Sequence, residues 1–276
     1  PHRGLHEDVL HRGVDGIPKR SLGLTRAMLS RARRRDISAI RDLSLRSNSS
    51  ISGNSSYTAG RISEVYGVRS GVLLPSVVSD EFPESAGDRE PESVGELEGE
   101  YVVSVGRASW VKGAWETISM LSGSGVALAH VGGGDEGDLL KLKGHAKSMG
   151  VGLWCAPRLS SPELASLYRG ALAVVSMAHG EPFGLTPIEA QSVGTPALFV
   201  DEGGFRETIV DGVSGRLLPR EGFDEWHRAL SEARDPGNRS SWSKNGRVAI
   251  SEAGLDPGGH CDRLIAILQD MNSDLS

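Results

Sequence analysis

The chain lacks the raw material for several common kinds of protein. It has two cysteines in 276 residues, Cys155 and Cys261, in different segments and without a second pair. Neither a disulfide framework nor a zinc site is implied, and both read as inert core or surface thiols. No run approaches the roughly 18 apolar residues of a membrane span. Nothing at the start resembles the charged, apolar and small-residue regions of a signal peptide, so the default compartment is the cytoplasm. Positive charge is also short: 30 Lys and Arg against 36 Asp and Glu leave a net charge of −6. That argues against nucleic acid as a partner, because phosphate backbones are held by surplus Lys and Arg. A starting methionine is absent too; a chain beginning at Pro1 reads as a processed product or a fragment.

What is there suffices for a real core. With 38% hydrophobic and 24% charged residues, the chain has material for one large or two modest domains. Charge is uneven along it. Residues 1–46 carry Arg31, Arg33, Arg34 and Arg35, which read as a solvated helix face or, alternatively, as a peripheral contact with anionic lipid or an acidic partner. The stretch SDEFPESAGDREPESVGELEGE from Ser79 is dense in acid, Pro, Gly and Ser and reads as an exposed linker.

After it, five apolar runs (YVVSVG, VALAHV, VGLWC, LAVVSM and TPALFV) alternate with helical patterns. Strands spaced by helices imply crossover units and an α/β, doubly wound parallel sheet covered on both faces. The expected organisation is an α/β domain over 100–235, preceded by a short unit over 1–78 and a linker over 79–99, with helices over 236–276. The first unit offers a helix near 22–45, a short strand near SSISGN, a helix from Ser56 and a strand GVLLP, too little to close a sheet of its own.

Ligands of open parallel sheets sit beyond the carboxyl ends of the strands, where helix N-termini aim their amides. Three loops fall at that edge. GGGDEG from Gly132 fits G-x-G-x-x-G, yet Asp135, Glu136 and Asp138 would press acid against a pyrophosphate, and VGLWC ends without an acid for a ribose. It reads better as a turn that lets backbone approach something closely. VGRASWVKG sets Arg107 and Lys112 between a strand end and a helix start, where cations are unfavourable unless an anion joins them. A phosphate or diphosphate is the implied guest; side chains that simply reach solvent are the alternative. EPFGLTPIEA, residues 181–190, holds Glu181 and Glu189 around a helix entry. Gly184 permits the turn, Thr186 caps, Pro187 takes the first position and Glu189 completes a Thr-x-x-Glu capping box. Glu181 has no such local duty. Carboxylates accept paired hydrogen bonds from vicinal hydroxyls, so this edge suits a polyol joined to a diphosphate, as in a nucleotide sugar.

The segment from Glu181 to Glu189, preceded by VGR…KG and GGG and followed by GTPALFVDEGG and DGVSGRLLP, closely resembles the donor-binding half of retaining glycosyltransferases of family four, which have the GT-B fold. The resemblance runs from about residue 47 to 235. It implies that Glu181 contacts hydroxyls of the transferred sugar, Glu189 the ribose, and Arg107 with Lys112 the diphosphate. Amides around Phe183, Gly184, Leu185 and Thr186 would lie along sugar and phosphates, with Gly106, Gly132, Gly133, Gly134 and the Trp154–Arg158 region, Arg158 included, edging the nucleotide. NSSYTAGRISEVYGV from Asn54 resembles the last crossover of the family's acceptor domain, so residues 1–78 read as the remnant of that domain, truncated at the front. His179 is a candidate donor-side contact; His130, His145, His227 and His260 have no partner in view.

The implied reaction is transfer of a sugar, of hexosyl type, from a nucleoside diphosphate sugar to a sugar, lipid or other hydroxyl acceptor, with retention of configuration. No cofactor or metal is expected, since GT-B folds use basic residues and helix dipoles in place of a divalent ion. Arg107, Lys112 and helix-end amides would stabilise the leaving phosphate, and Glu181, engaged with remote ring hydroxyls, would be misplaced as a nucleophile. Two other classes stay open: a nonenzymatic nucleotide-sugar-binding module, and a nicotinamide-dependent enzyme resting on GGGDEG alone.

Overall fold

The computed structural model describes residues 12–18, 22–77, 97 and 99–273. The acidic stretch from Ser79 lies almost wholly outside the described residues. The first part contains α1 (Leu22–Ser44), β1 (Ser52–Gly53), α2 (Ser56–Tyr66) and β2 (Gly71–Val72), with β1 and β2 parallel. Arg31, Arg34 and Arg35 are exposed on α1 and Arg33 is half-buried. Ser55 caps α2 by accepting from the Thr58 amide, and Gly67, at φ 65°, ends it in the left-handed conformation that costs a glycine little.

Beyond it, β3 (Tyr101–Val105), β4 (Ala127–Val131), β5 (Leu153–Ala156), β6 (Ala173–Ser176), β7 (Ala197–Val200) and β8 (Arg216–Leu218) form one parallel sheet in the order β5-β4-β3-β6-β7-β8. Five of these were legible as apolar runs; β8, three residues long and opened by Arg216, was not. The helices of this part are α3 (Ala114–Leu121), α4 (Glu136–Met149), α5 (Ser161–Gly170), α6 (Leu185–Ser192), α7 (Phe205–Thr208), α8 (Phe223–Arg234), α9 (Pro236–Glu252) and α10 (Pro257–Ser273). Every residue of β4, β6 and β7 is buried, as a sheet covered on both faces demands. Val102, Val103, Leu128, Val174, Val175, Leu198 and Phe199 are fully buried at its centre, each contributing about 1.5–3 kcal/mol.

The helix ends explain the local choices. Asp135 caps α4 by accepting from the Gly137 amide, and Glu163 reaches back to the Ser160 amide at the start of α5. Chain order reverses at the β3–β6 pair, because β4 and β5 continue on one side and β7 and β8 on the other. At such a switch point the loops leaving the two central strands diverge and open a crevice at the carboxyl edge.

Residues 12–18 form a small turn closed by a bridge between Arg12 and Pro18, and it docks on the larger part. Val14 is fully buried and its amide donates to Asp138 Oδ1 at 3.1 Å, while Lys141 pairs with Asp15 at 2.6 Å. The four histidines thought to be without partners all have one: His130 with Ser104, His145 with Ser119, His227 with the Met120 carbonyl and His260 with the Leu74 carbonyl. None of these pairs is closer than 26 residues in sequence, so local pattern gave no sign of them.

Candidate active site

A cleft of about 550 Å³ opens at the carboxyl ends of β3, β4 and β6, at the switch point. Val105 ends β3 in its wall with Gly106 after it, Val131 ends β4 with Gly132 after it, and Ser176 ends β6 there. The loop 181–184 and the start of α6 form one side, and Asn54 and Pro75 from the first part complete the lining beside that loop.

The glycines of the β4 loop serve close backbone approach. A Cβ on Gly132 would stand 2.5 Å from the Gly106 carbonyl, and Ala108 donates its amide to Gly133 O at 2.7 Å. Gly132 reaches the cleft wall, whereas Gly133 and Gly134 lie against the Ala108 loop behind it. Two of the three acids at this loop have structural work: Asp135 caps its own helix and Asp138, buried just after the motif, accepts from the Val14 amide.

Lys112 and Glu181 meet across the cleft. Lys112 ends a short 3₁₀ turn, Trp110–Lys112, and its Nζ donates to Glu181 Oε2 at 2.7 Å. The side chains are 37% and 21% exposed, so an incoming ligand meets both. Glu181 caps nothing, as its place before the turn implies, but its side chain pairs with Lys112 and its backbone carbonyl accepts from Gly204 N at 2.7 Å. Arg107 is exposed on the same loop but stands outside the cleft wall.

The helix beside them starts earlier than its sequence suggests. α6 begins at Leu185, its N-cap is Gly184 at φ 94° and ψ 78°, and no side chain caps it. Thr186 and Pro187 are thus already helical, and the Thr-x-x-Glu capping box is not formed. Glu189 turns instead to Tyr168, whose hydroxyl donates to Oε2 at 3.1 Å. Burial, then the Glu189 charge and hydrogen bond, push the Tyr168 phenol well above its ordinary range, so it stays a donor. The uncapped start of α6, at Gly184, Leu185 and Thr186, faces the cleft, and a helix N-terminus without a side-chain cap attracts anions. Phe183 contributes backbone there, because its ring is buried with Ile188 and Leu255. Arg158 stands on the rim, with Leu159, Ser161 and Leu164 beside it.

His179 lies outside the wall, behind the loop. Its ring stacks on Trp110 at 4.3 Å, and Nε2 lies 3.0 Å from Glu116 Oε1 and 3.4 Å from Arg220 Nη1. Arg220 also binds both oxygens of Glu202 and the carbonyls of Met177 and Ala178. Glu202 is held below its ordinary value: burial raises it, and the Arg220 hydrogen bonds and charge outweigh burial. This network braces the backbone leading to Glu181. Sequence reasoning missed it, along with Asn54, Pro75 and Phe205 in the cleft, because its members come from five separate segments. Among the described residues no cluster of three or more His, Cys, Asp or Glu side chains could hold a metal ion, and no helix is long and apolar enough to cross a membrane.

Comparison with known proteins agrees with this geometry. A D-inositol 3-phosphate glycosyltransferase of Kribbella flavida is 42% identical over 93 residues, 33% of this chain and 21% of that protein. Among solved structures, a sucrose-phosphate synthase from Thermosynechococcus elongatus matches with TM-score 0.70 at 21% identity, over 80% of this chain and 58% of that one. Anabaena HepE, in complex with UDP-glucose, matches with TM-score 0.65 at 19% identity, over 82% and 63%. The chain spans less than two thirds of each of these proteins. These likenesses place the fold among GT-B glycosyltransferases. The family model described as Glycosyl transferases group 1 matches residues 88–249, which hold β3 to β8 and the whole Glu181–Glu189 segment, and the chain belongs to that family.

Proposed function

We propose that the chain is the donor-binding part of a glycosyltransferase that moves a sugar from a nucleoside diphosphate sugar to a hydroxyl acceptor with retention of configuration. One observation carries the reading: an uncapped helix start, a lysine and two carboxylates share a single cleft at the switch point. Lys112 has three N–H donors, of which Glu181 takes one, leaving two for phosphate oxygens. As the bond between sugar and diphosphate breaks, negative charge grows on the leaving phosphate, and Lys112 with the start of α6 stabilises it. Arg107 adds charge from outside the wall. Glu181 accepts from hydroxyls of the transferred sugar, and Glu189, oriented by Tyr168, accepts from the ribose. Gly106 and Gly132 leave room for backbone to approach the nucleotide, with Arg158 at its rim.

The relatives bear on the substrate classes. A relative is named for D-inositol 3-phosphate and a structural neighbour was solved with UDP-glucose, so a polyol or sugar hydroxyl and a uridine nucleotide head the candidates. The remnant of an acceptor domain in residues 1–78, the cytoplasmic compartment and a surface contact with anionic lipid through α1 belong to the same reading.

Calorimetry with UDP, GDP and ADP, each alone and as its glucose conjugate, and with NAD tests it. The expected outcome is binding of one nucleoside diphosphate and its conjugate, with Glu181→Ala weakening only the conjugate. Binding of NAD alone would overturn the donor assignment, and equal losses for both ligands in Glu181→Ala would show that this residue does not face the sugar.

A further inference from the structure

Glu207 belongs to no part of the cleft wall, yet both its oxygens are engaged in a way few surface carboxylates are. It sits on α7, and its Oε2 and Oε1 accept from the backbone amides of Ser56 at 2.9 Å and Tyr57 at 2.8 Å. Those are the first two amides of α2, in the first part of the chain. A helix start leaves such amides without intrahelical partners, and its partial positive charge favours a carboxylate. The cap of α2 is therefore split: Ser55 supplies the local half to Thr58 N, and Glu207 supplies the other half from 150 residues away.

The same helix start grips the loop that carries Glu181. The hydroxyls of Ser55 and Thr58 both donate to the carbonyl of Pro182. From the other side, Gly204 N donates to the carbonyl of Glu181, and Gly203 lies so close that a Cβ would stand 2.5 Å from that carbonyl oxygen. Gly203 and Gly204 lead directly into α7, three residues before Glu207. The contacts thus close a ring: loop 181–183 to Gly204, along α7 to Glu207, across to the start of α2, and back through Ser55 and Thr58 to Pro182.

We propose that Glu207 is a positioning residue for Glu181. By capping α2 from α7 it holds Ser55 and Thr58 on Pro182, and so fixes the backbone from which Glu181 reaches Lys112 and the transferred sugar. The assignment rests on the reading of Glu181 as the sugar contact. It extends that reading to a carboxylate outside the cleft and to the joint between the two parts of the chain.

The test compares Glu207→Ala, Glu207→Gln and Glu181→Ala for binding of the nucleoside diphosphate that the wild-type chain prefers and of its glucose conjugate. A ring that positions Glu181 makes Glu207→Ala bind the conjugate about tenfold more weakly while the bare diphosphate changes by less than about twofold, the size of one lost hydrogen bond to a charged group. Glu207→Gln, which keeps one acceptor oxygen, falls between wild type and Glu207→Ala. Hydrogen exchange at Ser56 and Tyr57 speeds up in Glu207→Ala while the amides of β4 and β6 stay as slow as in wild type, which confirms that the variant is folded and only the cap is open. A Glu207→Ala chain that keeps the wild-type ratio between the two ligands, while Glu181→Ala loses it, overturns the positioning role alone. If Glu181→Ala also keeps the ratio, the sugar contact itself is wrong and the inference falls with it.

Discussion

Acid should withdraw about 3 kcal/mol of stability through one side chain, His130. It lies on β4, one residue before the Val131 that floors the cleft, and is 1% exposed. Its Nδ1 is 2.8 Å from Ser104 Oγ, and Nε2 has no hydrogen-bond partner among the described residues. A second ring proton would put a charge there, buried without compensation, so burial pushes the imidazole down from 6.5 to about 4. Between those values the unfolded chain binds a proton that the folded chain refuses. Stability therefore rises with pH across the window at about 1.4 kcal/mol per pH unit, is complete above about 6.5, and is lost as pH falls toward about 4. The window of about 2.5 pH units yields the figure of about 3 kcal/mol. Urea unfolding of wild type and His130→Leu, at steps between about pH 7 and about 4.5, isolates it, because carboxylates titrate alike in both chains and cancel in the difference. The wild type should lose most of that amount relative to the variant over this range. Two stability curves that run parallel down to the lowest pH would refute the reasoning.

The cleft makes two further predictions. Lys112→Ala should weaken binding of a nucleoside diphosphate by about ten- to a hundredfold, the range for a hydrogen bond to a charged group, and should flatten its dependence on salt; unchanged affinity in a titration at low and high salt would remove Lys112 from the phosphate site. Tyr168→Phe should weaken the bare nucleotide and its sugar conjugate alike by about fivefold, since Tyr168 orients Glu189 and not Glu181, and a selective loss of the conjugate in calorimetry would contradict the ribose assignment.

How much of this was legible in the sequence depends on how far each residue's partner lies. Strands β3 to β7 could be read because a sheet buried on both faces needs unbroken apolar runs, and LAVVSM or TPALFV carry that demand within themselves. β8 could not, because RLL is too short to show a period and opens with Arg216, whose charge is answered by Asp211 and Glu232. The pairing of Glu181 with Glu189 was visible as spacing, but the role of Glu189 at the helix start was misjudged by the same local logic. A Thr-x-x-Glu pattern reads as a capping box until a buried tyrosine 21 residues upstream competes for the carboxylate, and no window of sequence includes that competitor. Glu207 is the extreme case. Its partners are backbone amides about 150 residues away, and backbone amides have no identity in a sequence at all.

The contact between Lys112 and Glu181 ties together two properties usually tuned apart. At 2.7 Å each side chain sets the field felt by the other, so a change made at position 181 to admit a different sugar also changes how strongly Lys112 is available to phosphate. Under the proposed assignment of Glu181 to the sugar and Lys112 to the phosphate, donor selectivity and donor affinity are then a single dial. A redesign that moved one carboxylate would have to retune the lysine with it, and substitutions at the two positions, scored one at a time, would misreport the pair.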